Sequence, residues 1–175
     1  MNTRLRFGAL ALLSILTVSC GYALVGRATN LPEDVKTVYL APFENRTQRN
    51  EVDQFVTEAI ADELVKRKRF TVGREAATAD AELVGAVTAF GLTPVTFGTD
   101  GRATEYEISI VAQVTLRRTG GAPDAEVLWK NDRYVFRKTY PFDAADASLD
   151  REEAAIREAA EEFAKTMVSD LLEGF

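Results

Sequence analysis

Between residues 106 and 116 apolar and polar positions alternate: Tyr106, Ile108, Ile110, Ala112, Val114 and Leu116 share one parity. Successive strand side chains point to opposite faces, so "EYEISIVAQVTLRR" (105–118) is predicted to be a strand with one face in the core and one in water. "VLWKNDRYVFRKTY" (127–140) has the composition of a hairpin partner. Matching like faces opposes Ile110 to Phe136, Ala112 to Tyr134 and Tyr106 to Tyr140, whereas a slip of one residue sets apolar side chains against charged ones. Upstream, "VKTVYLAP" (35–42) reads as a strand and "FENRTQRN" (43–50) as a polar turn. "ADAELVGAVTAFGLTPVTF" (79–97) reads as a long strand ending at the turn "GTDG" (98–101), and "FTV" (70–72) as a short strand.

The apolar period changes to that of a helix in two places. Val52, Phe55, Val56, Ala59, Ile60 and Leu64 form one stripe, with Asn50 placed to cap it. Ile156, Ala160, Phe163, Met167, Val168, Leu171 and Leu172 form another over 150–172, where Asp150 and Glu153 have the spacing of a capping box. Neither stripe can stay in water. The predicted fold is α+β: a two-layer sandwich, two helices packed on one face of a mainly antiparallel, mixed, four-stranded sheet.

The amino terminus follows a different pattern. Residues 1–6 carry Arg4 and Arg6, an apolar run follows to Val18, and the small residues Thr17 and Ser19 precede Cys20, the single cysteine. Positive start, short greasy run and small residues make a secretory signal peptide over 1–19, too short to span a bilayer. An apolar run closed by small residues before cysteine resembles a lipobox, in which Cys20 is acylated with diacylglycerol and palmitate and becomes the new N-terminus. Thr17 stands where leucine is usual, so ordinary cleavage after Ser19, leaving a free thiol, stays open. Residues 20–175 are read as one domain.

Composition removes several classes of function. The 175 residues contain no histidine, 21 basic and 27 acidic residues, for a net charge of -6. Loss of Arg4 and Arg6 with the signal takes this to -8, the wrong sign for general nucleic-acid binding. Without histidine, Ser-His-Asp triads, Cys-His pairs and Cys/His zinc sites cannot be built. No glycine spacing suits a nucleotide, and Asp143, Asp146, Asp150, Glu152 and Glu153 lack the pattern of a calcium loop. Neither catalysis nor a metal or other cofactor is expected.

"CGYAL" at the cysteine, "LPEDVKTVYLAPFENRT" leading into a helix, "ADAELVGAV", "DGRATEYEISIVAQVTLRR" and "VLWK" before a strand occur in that order. This resembles the LPS-assembly lipoprotein family, LptE, over essentially the whole mature chain. "APFENRT" before a helix is shared with other periplasmic lipoproteins, including activators of peptidoglycan synthases, which keeps a regulator of another envelope machine as the alternative. The resemblance implies an outer-membrane lipoprotein on the periplasmic side that sits inside an LptD-type β-barrel and helps deliver lipopolysaccharide to the outer leaflet. Gly21, rather than aspartate, beside the cysteine fits export to the outer membrane.

The strand register supplies candidate contact residues. The outward face is expected to carry Arg117, Arg133 and Arg137 interleaved with Trp129, Val111 and Val135. Guanidinium groups suit phosphates, and the apolar side chains suit the rest of an anionic amphiphile or a partner protein. Such arginines also occur on plain solvated sheets, paired with neighbours such as Glu107. "KRKR" (66–69) matches the cation preference of a helix C-terminus.

Overall fold

The structure, a computed structural model, describes residues 31–119, 125–141 and 149–173. Its elements are β1 (Thr37–Leu40), β2 (Glu44–Asn45), α1 (Val52–Arg67), β3 (Thr71–Gly73), a 3-10 turn (Ala76–Thr78), β4 (Ala81–Phe97), β5 (Ala103–Arg118), β6 (Val127–Pro141) and α2 (Leu149–Glu173). The strands form one sheet in the order β3-β1-β4-β5-β6, with β2 also pairing with β4. Strands β4, β5 and β6 make an antiparallel meander, whereas β1 runs parallel to both β3 and β4, and β2 parallel to β4. The fold is thus α+β with two helices and a mixed sheet, but the sheet has six strands, not four. The difference lies in the short strands: β3, at the short strand expected over 70–72, joins the sheet beside β1, and β2, two residues long, lies within the stretch expected to be a polar turn.

Period-two patterning builds the central strand as expected. Ile108, Ile110, Ala112, Val114 and Leu116 are buried, and Ile110 faces Phe136, Ala112 faces Tyr134 and Tyr106 faces Tyr140. Tyr134 and Tyr140 are buried and Tyr106 half-buried. From the other layer α1 contributes Val56, Ile60 and Leu64, and α2 contributes Ile156, Phe163, Met167 and Leu171, to one core. Ala159, Ala160 and Ala164 of α2 are fully buried in the same core. Phe163 receives Tyr134 and Phe136 edge-on at 5.5 and 6.3 Å between ring centres, the arrangement aromatic quadrupoles favour. The Tyr134 hydroxyl donates to Asp170 Oδ2 at 2.7 Å, while the Tyr140 hydroxyl, also buried, has no hydrogen-bond partner among the described residues.

The helix ends differ from expectation. Helix α1 is entered through Glu51 in the left-handed conformation, φ 66°, with no side-chain cap, so Asn50 does not cap it. The preceding loop is tied by Asn45, whose Nδ2 donates to the Arg49 carbonyl and to Asp53. Helix α2 begins at Leu149, which places Asp150 inside its first turn rather than ahead of it.

Gly85 of β4 is required by close packing. A Cβ there would lie 2.4 Å from Phe43 Cε1, 2.5 Å from Cζ and 2.8 Å from the Gln113 carbonyl oxygen. Phe43, just ahead of β2, is 3% exposed, so its ring occupies the volume a side chain on β4 would need.

Candidate functional site

Both helices pack on one face of the sheet, which leaves the alternate side chains of β4, β5 and β6 on a face without a helix. Two irregularities decide what this face displays. Between Ala112 and Val114 the partner on β6 jumps from Tyr134 to Asn131, and a second jump follows between Leu116 and Arg117. The extra residues form β-bulges, and each reverses the in-and-out parity of the strand beyond it.

Beyond the first bulge Trp129 opposes Leu116, a core residue, and packs against the core itself. Trp129 therefore does not belong to the outward strip in which strict alternation had placed it. Val135 and Arg137 lie on the Tyr134 side of the bulge and keep the expected face, paired to Val111 and Ser109, while Arg133 stands exposed in the bulge itself. At the bulge the Arg133 backbone N–H donates to Asn131 Oδ1 at 2.9 Å. "KNDR" carries the Asn-Asp pair that favours such a local turn, and that was the available sign of the bulge.

The three arginines are not held alike. Arg117 Nε and Nη2 both donate to Glu82 Oε2, at 3.1 and 2.8 Å, and the Glu82 side chain is only 19% exposed. That pair crosses from β5 to β4 and staples the sheet. Arg137 lies 3.9 Å from Glu107, at the long limit of an ion pair, with both side chains well exposed. Among the described residues no ion pair engages the Arg133 guanidinium. Arg133 and Arg137 are thus the cations that the sheet leaves available. Four residues along a strand sets them about 13 Å apart.

A further arginine reaches the same face from outside the meander. Arg46, following β2, donates from Nε and Nη2 to Glu44 Oε2 at 3.0 and 2.7 Å and from Nη1 to Gln113 Oε1 at 3.2 Å. It was missed in the sequence because β2 was read as a turn.

The basic run at 66–69 is largely structural. Arg67 binds Glu63 within α1 and reaches Ser169 and the Lys165 carbonyl on α2. Arg69 donates to the Val35 carbonyl and lies over the Phe70 ring. Cys20 lies outside the described residues. Among the described residues no cluster of three or more potential metal-ligating side chains occurs, and no helix is long and apolar enough to cross a membrane.

Comparison with known proteins gives a family match over most of the chain: the model for LptE, described as lipopolysaccharide-assembly, matches residues 35–171. Rare lipoprotein B of Shewanella oneidensis has a similar structure, with TM-score 0.50 and 14% identity over 78% of this chain and 93% of that one. A Xanthomonas campestris protein gives TM-score 0.54 and 12% identity over 85% and 90% of the two chains. A hypothetical protein of Chlamydia trachomatis gives 0.52 and 12% over 80% and 96%. At these identities the structural likeness concerns the fold alone. No curated protein sequence matches the chain.

Proposed function

The chain belongs to the LptE family of lipopolysaccharide-assembly lipoproteins, and on that premise we propose that it partners an LptD-type β-barrel in placing lipopolysaccharide in the outer leaflet. In this reading residues 1–19 are removed, Cys20 carries the acyl anchor on the periplasmic side of the outer membrane, and 20–175 act as one domain that plugs the barrel and contacts its cargo. The family is non-enzymatic, and this chain is read the same way: its work is binding and placement.

The observation that carries the contact assignment is the helix-free sheet face with Arg133 and Arg137 flanking Val135, neither arginine held by a close ion pair. Cations spaced along an apolar strand match a ligand with phosphates on an acyl-bearing body. Arg117, committed to Glu82, is assigned a secondary part. A charge-assisted hydrogen bond is worth about 1.5 to 3 kcal/mol where water is excluded. Losing both arginines is expected to weaken lipopolysaccharide capture by about two to four decades without changing the melting temperature.

The test is to solubilise outer membranes in detergent, recover the protein with whatever accompanies it, and compare wild type with the Arg133→Ala/Arg137→Ala variant for bound lipopolysaccharide and barrel. Wild type without a large β-barrel, or with a peptidoglycan synthase in its place, refutes the partnership. Capture unchanged in the double variant refutes the contact assignment. Mass spectrometry showing Cys20 unmodified refutes the anchor.

A further inference from the structure

Beside the arginine strip the same sheet face contains an open groove of about 170 Å³. Its walls are Glu44 and Arg46 on one side and Gln113 and Thr115 on the other, and its floor is Val84 and Ala86 of β4. Ala86 is only 3% exposed although it stands outside the core cluster and no helix covers it. Register places the groove directly beside the strip: Ala112 pairs with Tyr134 and Val114 with Asn131, so Gln113 lies opposite the Asp132–Arg133 bulge.

The polar groups here are mixed, unlike those of a phosphate seat. A guanidinium, a primary amide, a hydroxyl and a carboxylate stand around a small apolar floor. Glu44 would repel a phosphate, whereas a carboxylate and an amide oxygen accept from hydroxyl groups and Arg46, the amide N–H₂ and Thr115 donate to them. Alternating donors and acceptors over a flat apolar patch match a sugar ring, with hydroxyls at its rim and C–H groups on its face. Ligand pockets for larger organic molecules run from about 300 Å³ upward, so the volume suits one ring. The Arg46–Glu44 pair is no obstacle: its side chains are 54% and 67% exposed, and such surface pairs are worth about 0 to 1 kcal/mol.

We propose that this groove is a saccharide seat, taking one sugar ring of the phosphorylated glycolipid whose phosphates meet Arg133 and Arg137. The assignment rests on the function proposed above and adds the part of the cargo read there. Arg46 and Thr115 donate to ring hydroxyls, Gln113 and Glu44 accept from them, and the ring face lies on Val84 and Ala86.

The experiment uses the purified full chain in detergent and two probes, fully deacylated lipopolysaccharide oligosaccharide with its phosphates and the same oligosaccharide after phosphatase treatment, titrated calorimetrically. Arg46→Gln and Thr115→Val are each expected to weaken binding of both probes by about tenfold. Arg133→Ala/Arg137→Ala should affect the phosphorylated probe alone. Thr115→Val preserves side-chain shape on an outward strand position, so it decides the matter if Arg46→Gln alters melting. Either probe bound by Thr115→Val as tightly as by wild type overturns the seat. So does a loss confined to the phosphorylated probe, which would make Arg46 one more cation. Wild type that captures no intact lipopolysaccharide overturns instead the reading on which the seat rests.

Discussion

Replacing Gly85 by alanine tests the central packing of the sheet with a single methyl group. The added carbon would lie 2.4 Å from Phe43 Cε1 and 2.8 Å from a backbone oxygen of β5, against an optimum of about 3.5 to 4.0 Å between carbons. The ring must retreat by more than about 1 Å, and at 3% exposure it has no solvent to retreat into. Overpacking of this kind costs about 1 to 3 kcal/mol. Alanine recovers about 0.5 to 1 kcal/mol through the smaller conformational entropy of its unfolded chain. The net loss is on the order of 1 to 2 kcal/mol, equivalent to a fall of about 2 to 8 °C in melting temperature for a chain of this size. Thermal and urea unfolding of wild type, Gly85→Ala, Phe43→Ala and the double variant form a cycle. Because two of the three close atoms belong to the ring, the alanine should cost clearly less once Phe43 is trimmed. Unchanged melting of Gly85→Ala, or strict additivity in the cycle, would refute the reasoning.

Other expectations follow from the core and from ionised groups. Ile110→Asp and Phe163→Asp each place an unpaired charge in the fully buried layer between sheet and helices, so each should cost several kcal/mol in urea unfolding; a tolerated Ile110→Asp would mean the sheet faces are reversed. Tyr134→Phe removes a hydrogen bond to Asp170 and should cost about 0.5 to 1.5 kcal/mol, whereas Tyr140→Phe removes a buried hydroxyl without a partner among the described residues and should be neutral or stabilising in the same assay. Asp80 accepts the Thr37 and Lys36 backbone N–H groups, which hold its carboxyl below the usual range. A depressed folded pKa stabilises above the unfolded value and loses that contribution as pH falls through the folded one, so the acid limb of stability should flatten in Asp80→Asn. Burial pushes the Tyr134 phenol up to about 12; the sign is opposite, and stability should be full below pH about 10 and decline as pH rises toward 12, measurable by phenolate absorbance.

What the sequence disclosed depended on period. The strand at 105–118 showed its faces and even its partners, because a slip of one residue would have exposed Ile110 and Ala112. Both helices were visible in their apolar stripes. What stayed hidden had no period to show: β2 is only two residues long, and a bulge adds one residue without changing composition. That single residue moved Trp129 from the outer strip to the core, and Asn131-Asp132 was its faint mark. The site was legible in the same proportion. Arg133 and Arg137 follow from alternation, whereas Arg46 depends on a parallel pairing of β2 with β4 that no local pattern announces.

The position of β4 has a consequence in time as well as in space. It is the template for β1 and β2 on one side and β5 on the other, yet it follows β1, β2 and α1 in the chain. The meander can close by hairpins between neighbouring segments, the cheaper form of chain closure, while β1 must wait to be seated across the length of α1. In a chain emerging N-terminus first, among the described strands β1 can pair with the short β3 alone, and β2 with none, until β4 arrives. β2, with Arg46 just beyond it, therefore takes its place in the sheet only when β4 is there to receive it.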